Sequence, residues 1–282
     1  MKRLIIILLW ALSMPAIQAQ ESRPMPSAEE LNAVNGSILI EARRLYLYEK
    51  ASWILEDLVY EKFAGSMDEV GGWIPVFGDG DNVKGLFYDK QKTKVLYEAT
   101  MNWETGKKSS KVSSRELTAE EIDEINAHKA AVDAVYSLSE TPSYPQGCTF
   151  NVQAIPIGKD LYRVYWMLGT AQHGIIPFGC DFSYDCDREG NIKEYRRYHK
   201  TYIPAQLTMD DDTVVTIFHS HTEICPYMAP TDIALFLLYG YEMSKVKNLI
   251  VLSTVFDCYF DFNAVTYSIS VGSMEDLRSR TR

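Results

Sequence analysis

Apolar positions recur at helical spacing from Ile38 to about Phe63, through Leu39, Ala42, Leu45, Leu47, Ala51, Ile54, Leu55 and Leu58. That period predicts a core-facing helix. Tyr46, Tyr48, Trp53 and Tyr60 are interleaved with it and read as core rather than as a ligand-binding stripe. Ser27-Ala28-Glu29-Glu30 has the spacing of a capping box and predicts a short preceding helix that stops near Asn35-Gly36. After Gly71-Gly72 the period changes. Trp73 to Phe77, Gly85 to Tyr88 and Thr93 to Thr100 read as strands, joined by turns at Gly78 to Asn82 and Asp89 to Lys92. The first of these turns is acidic, but it lacks the full ligand series and the flanking helices of a calcium loop. Gly106 to Ser114 is polar and basic and reads as an exposed loop. A second capping box, Thr118-Ala119-Glu120-Glu121, predicts a helix of about 20 residues ending near Leu138.

Ser139 to Gln146, with two prolines, marks a boundary. Beyond it Leu161 to Leu168, Gly174 to Phe178, Asp181 to Asp185 and Ile192 to His199 look extended, and Gly179 to Asp187 could run as one strand. Val214 to Phe218 and Leu249 to Val255 have the composition of buried strands, and Asp232 to Met243 is a helix that is strongly apolar on one side. The expectation is an α+β protein: a helical and small antiparallel-sheet region over 20–140, then a strand-rich region over 141–282.

The first 19 residues stand apart. Lys2 and Arg3, the apolar run Leu4 to Leu12 and the small residues Ala16 and Ala19 follow the order of a cleavable secretory signal. The run is about half of what a membrane-spanning helix needs. The protein is therefore expected to be exported, periplasmic or extracellular, with cleavage near Ala19 and no membrane span in the mature chain. Its formal charge is −10 and becomes two units more negative once Lys2 and Arg3 leave. That balance argues against nucleic acid as a partner, because phosphate binding needs clustered Lys and Arg; a peptide or another envelope component is the expected partner. The one basic cluster, Lys193 to Lys200, reads as the solvated face of a strand. Five cysteines, Cys148, Cys180, Cys186, Cys225 and Cys258, form no CxxC and leave an odd thiol.

The candidate chemistry lies in His219-Ser220-His221, followed at a distance by Asp232. On a strand, side chains at i and i+2 share a face, so both imidazoles leave the end of the Val214 to Phe218 strand together. Asp232 falls at the entry of the following helix, where its charge suits the helix N-terminus. Two imidazoles and a carboxylate with one position open to water are the ligand set of a catalytic zinc site, in which the ion would acidify that water. Cys225 is a candidate fourth ligand that would close the site; it reads equally as a buried thiol or a disulfide partner. His173 and His199 are possible extra ligands, but a hairpin turn and a polar strand explain them more simply.

The segment Phe218-His219-Ser220-His221, its spacing to Asp232 and the Pro230-Thr231-Asp232 entry resemble the JAMM/MPN metalloprotease motif, HxH-x7-S-x2-D. The close likeness covers about 15 residues and extends as a strand–helix–strand pattern over Thr213 to Val255. It implies a JAMM-like α/β domain with a mixed central sheet over 141–282, zinc on His219, His221 and Asp232, and hydrolysis of a peptide or amide bond by metal-bound water. Two departures bear on activity. The family's serine falls on Ala229, and the loss of such a donor costs on the order of 10²–10³ in rate. The family's upstream glutamate, the general base, has no clear counterpart: Tyr162 and Arg163 stand where it is expected, which leaves Glu194 and Glu223 as candidates. The alternative is a non-catalytic relative acting as a secreted or envelope binding protein.

Overall fold

The computed structural model describes residues 23–77, 82–140, 142–207, 216–244 and 246–280. The expected signal lies outside these residues, as do most of the first acidic turn and the whole of Asp210 to Asp212.

The two predicted N-terminal helices are one. Helix α1 runs over Ala28–Phe63, opened by Ser27, whose hydroxyl accepts the Glu30 N–H at 3.3 Å while the Glu30 carboxylate takes the Ser27 N–H at 2.8 Å. The expected break at Asn35-Gly36 does not occur. A glycine inside a helix costs about 1 kcal/mol, and burying a large aliphatic side chain gains about 1.5–3 kcal/mol. Leu31 and Ile38, both buried, flank Gly36 on the inward face and hold the helix through it. The same helix then serves two cores. Leu31, Ile38, Ala42, Leu45 and Tyr48 pack into the largest apolar cluster, and Ala51, Leu55 and Val59 pack under the first sheet.

That sheet is an antiparallel meander of β1 (Val70–Phe77), β2 (Asn82–Asp89), β3 (Val95–Asn102) and β4 (Lys108–Val112) in sequential order. β4 replaces the expected exposed loop. It is almost wholly solvent-facing and is held by its ladder with β3, which hydropathy does not register. Helix α2 (Ala119–Asp133), continued by a 3-10 turn over Ala134–Ser137, is capped as expected by Thr118 and Glu121. Its Ile125, with Leu117, covers the face of the meander opposite α1.

A second antiparallel sheet has the order β5-β6-β8-β9, from β5 (Cys148–Pro156), β6 (Leu161–Thr170), β8 (Phe182–Asp187) and β9 (Ile192–Arg197). Between β6 and β8 the chain leaves to form β7 (Ile175–Gly179), which pairs antiparallel with β10 (Tyr202–Gln206) as a separate ribbon. Gly179 to Asp187 is therefore not one strand: Cys180 turns it with φ of 54°. The last sheet is mixed. β11 (Thr216–His221) runs parallel to β12 (Asn248–Ser253), and β13 (Cys258–Asn263) and β14 (Ser268–Ser273) add antiparallel. The β11–β12 crossover is α3 (Pro230–Leu235), which continues as a π turn over Phe236–Tyr241 and a last α turn over Glu242–Ser244. A short helix, α4 (Met274–Arg280), ends the described chain. The class is α+β, and α1 and α3 pack directly on each other.

Glu98 on β3 shows how a buried charge is tolerated here. Its carboxylate is almost fully buried and is met by Arg115 at 2.9 Å and by Lys84 and Lys111 at 3.2 Å each. Burial pushes its pKa up, but the three cations outweigh that and bring it down to about 2. A folded-state pKa below the unfolded one gives stability that is present above the unfolded pKa and lost as pH falls toward the folded one. The expected contribution is on the order of 2–3 kcal/mol at neutral pH. Glu98→Gln should lower the urea midpoint at pH 7 and flatten its fall between about pH 4.5 and 2; a variant as acid-sensitive as the parent would contradict this assignment.

Candidate metal centre

The alternation of β11 sets the site. Ile217, His219 and His221 are buried on one face, and Ser220 between the two histidines is exposed. The His221 carbonyl accepts from the backbone N–H and the hydroxyl of Thr254 at 3.1 and 2.9 Å, which fixes the end of the strand. The loop after His221 returns to α3, where Pro230 occupies the first helical turn, as its fixed φ allows. Ala229 stands at the N-cap without a side-chain acceptor; its N–H donates instead to Asp232 Oδ2 at 2.8 Å. Asp232 is thereby oriented toward β11, where His219 Nε2 stands 3.1 Å from its Oδ1.

His219, His221 and Asp232 meet as their spacing suggests. The fourth group is His199, placed between β9 and β10 and explained in the sequence as part of a polar strand. One ligand atom from each of these four buried residues lies within 4.8 Å of the others. His219 Nε2 is 3.1 Å from Asp232 Oδ1, and His221 Nε2 is 3.2 Å from Oδ2. His199 Nε2 is 2.7 Å from His221 Nε2 and 3.7 Å from Asp232 Oδ1, and the two β11 ring nitrogens are 3.1 Å apart. Four donors about 2.0–2.1 Å from a central ion sit about 3.3 Å from one another in a tetrahedron. The observed separations scatter around that edge.

The outer ring nitrogens decide what this convergence means. His221 Nδ1 lies 2.6 Å from the Tyr227 carbonyl, which can only accept, so the proton is on Nδ1. His199 Nδ1 lies 2.6 Å from Asp181 Oδ1, again an acceptor when ionised. In the neutral tautomers both Nε2 atoms then carry lone pairs, and these face each other in a dry interior beside a carboxylate. Two lone pairs at that distance repel unless a cation stands between them. It can be a proton on an imidazole or a metal ion on all four groups.

The electrostatics follow from the same packing. Burial pushes the His221 imidazole down, but the Asp232 carboxylate more than reverses this and holds it well above the ordinary histidine value. Burial likewise opposes protonation of His199, and Asp181 followed by Asp232 reverses it upward. For His219 burial prevails and the shift is downward. Asp232 would be raised by burial, yet the three imidazoles hold it well below the usual carboxylate range.

The other sequence candidates lie elsewhere. Cys225 is half-buried and turns its thiol to the Tyr227 carbonyl at 3.3 Å, behind His221 and outside the four-residue cluster. Glu194 is exposed on β9 and pairs with Arg196. Glu223 is exposed in the loop and pairs with Arg23 at 3.3 Å. Arg163 grips Asp185 at 2.7 and 2.9 Å and Glu41 at 2.7 Å, and the Tyr162 hydroxyl donates to Glu124. Among the described residues no glutamate belongs to the cluster. Arg196 also binds Asp185, so the basic cluster is partly turned inward. His173 lies exposed in a turn. No local spacing could have singled out His199, because it joins the site only through the return of the β7–β10 ribbon.

That ribbon needs a glycine. Gly179 has φ of 94°, and a Cβ there would stand 2.0 Å from the Thr201 carbonyl oxygen. No family model, no curated protein and no solved structure matches this chain.

Gly179→Ala should drive β7 and β10 apart beside Asp181 and His199. The expected result is a fall in thermal midpoint of several degrees with loss of metal uptake, checked by calorimetry and metal analysis of the same preparation; uptake at parental affinity would separate the ribbon from the site.

Proposed function

We propose that this is an exported metalloprotein whose His199–His219–His221–Asp232 centre holds one divalent ion in closed, four-ligand coordination. In this reading it belongs with the non-catalytic alternative, a binding protein stapled by its metal. The observation that carries it is the facing pair of buried Nε2 lone pairs, with the Asp232 carboxylate beside them. A donor set of three imidazoles and one carboxylate near tetrahedral spacing suits zinc best among the common divalent ions. Charge agrees: with neutral imidazoles, Asp181 and Asp232 together balance a divalent cation.

Four protein donors leave no coordination position for water, which structural zinc sites lack and catalytic ones keep. Ala229 in place of the motif's serine, and the distance of Glu194 and Glu223 from the cluster, point the same way. The hydrolytic reading rests on the likeness of the HxH segment and Asp232 to JAMM/MPN enzymes. It would require His199 to yield its place to water.

The metal would be a cross-link between β11, the N-terminus of α3 and the segment after β9. Binding to the folded state alone stabilises it by RT ln(1 + [L]/Kd), about 4 kcal/mol at a thousandfold excess over Kd. Purified protein should contain one zinc per chain, lose it in His219→Ala, and melt several degrees lower after chelation. A parent protein without bound metal, at full occupancy of added zinc in the buffer, would sink the proposal. Zinc-dependent cleavage of a peptide or isopeptide substrate, abolished in His219→Ala, would replace it with the enzyme reading. For export, the mature protein should begin at Gln20 when its N-terminus is read by mass spectrometry; a retained Met1 in protein recovered outside the cytoplasm would refute cleavage.

A further inference from the structure

Asp181 is a buried acid beside the cluster that does not itself belong to it. It is nearly inaccessible, at 1% exposure, and it lies between β7 and β8 just after the left-handed turn at Cys180. Its contacts run in two directions. One carboxylate oxygen takes His199 Nδ1 at 2.6 Å, and its backbone carbonyl accepts the N–H groups of Tyr198 and His199 at 3.1 and 3.3 Å. The other carboxylate oxygen takes the hydroxyl of Thr231, which is fully buried and immediately precedes Asp232. A single residue thus grips the main chain and ring of one ligand and the helix turn that carries another.

We propose that Asp181, with Thr231 as its anchor, is the positioning residue of the metal centre. It fixes His199 in the tautomer whose Nε2 lone pair faces the ion and ties that ligand to the Asp232 turn. This inference rests on the metal reading above. Three features support it. His199 stands on a connection outside the regular strands, so its ring has no strand register to aim it. A carboxylate on the outer nitrogen of a ligating histidine fixes the ring and raises its basicity, and the loss of such a partner costs about 10–100-fold in metal affinity. Asp181 also supplies the second negative charge needed to neutralise a divalent ion among neutral imidazoles. Without Asp181, the ligand set at the ion would be His219, His221 and Asp232, with water free to enter.

The test uses the full mature chain, loaded with zinc for affinity and with cobalt(II) for coordination number. Asp181→Asn keeps an oxygen acceptor for His199 Nδ1 but removes the charge. Thr231→Val removes the anchor hydroxyl, and Thr231→Ser keeps it. The parent should give the intense visible bands of four-coordinate cobalt. Asp181→Asn should bind zinc about 10–100-fold more weakly in chelator competition and shift its cobalt spectrum toward the weak bands of higher coordination, while its far-ultraviolet dichroism stays parental. Thr231→Val should move in the same direction by a smaller factor, and Thr231→Ser should restore the parental values.

Parental affinity and spectrum in folded Asp181→Asn would overturn the positioning role while leaving the metal centre standing. If Asp181→Asn does not fold, the Thr231 pair decides: equal affinities for the valine and serine variants overturn the proposal, and recovery with serine supports it. A parent that takes up neither zinc nor cobalt overturns this inference and the metal reading together.

Discussion

Everything around the candidate centre answers one constraint: four Lewis-basic atoms have been brought together where water cannot separate them. Burying a polar group without a partner costs about 1–3 kcal/mol, and here the ring nitrogens of His199 and His221 oppose each other at 2.7 Å. Folding tolerates this only if positive charge fills the space between them. Without metal, a single proton between the two rings can supply that charge, and the Asp232 and Asp181 carboxylates favour it by lifting His221 and His199. With a divalent ion the same carboxylates serve as counter-charge. The surrounding structure keeps three of the four groups pointed inward: a carbonyl behind His221, a carboxylate behind His199, and a helix-cap N–H behind Asp232.

The architecture that achieves this draws on three separate pieces of chain. β11 presents two histidines through strand alternation. The crossover helix presents Asp232 at its first turn, where the peptide dipoles favour a negative charge. The β7–β10 ribbon, made possible by Gly179, returns the chain so that His199 arrives from a third direction. The π turn within the crossover helix lies just beyond Asp232, and its Gly240 lets Ile176 of the ribbon approach the helix closely. Helix, ribbon and sheet therefore share one packed volume, and the centre lies where they meet.

Local signals read well wherever the chain's own neighbours decide the structure. Both capping boxes formed, the meander strands fell close to their expected places, and the alternation of β11 put His219 and His221 on one face. The misreadings share a physical cause. Gly36 looked like a helix stop because the burial of Leu31 and Ile38 against distant elements is invisible in a short window. β4 looked like a loop because an edge strand held by main-chain bonds needs no apolar pattern. β5, with its irregular burial, and the C-terminal hairpin of β13 and β14 carried too little local contrast to be identified. His199 offers no spacing of its own that ranks it above a polar-strand residue. Its place beside His221 and Asp181 is set by the return of the chain after β9, and Asp181 and Thr231 are far from it in sequence. The motif showed three donors because three lie on adjoining elements; the fourth is a tertiary fact.

The long helix α1 has a consequence for how the molecule can be divided. Its first half seals the core beneath α3 and the mixed sheet, and its second half seals the core beneath the meander. A cut near residue 140 would follow the connectivity and still take from α3 the helix that packs on it. Neither region is a portable module, and a recombined or shortened chain would have to carry α1 with whichever part is kept. The four candidate ligands all lie after that point in the chain, while α1, which comes before it, contributes to both cores.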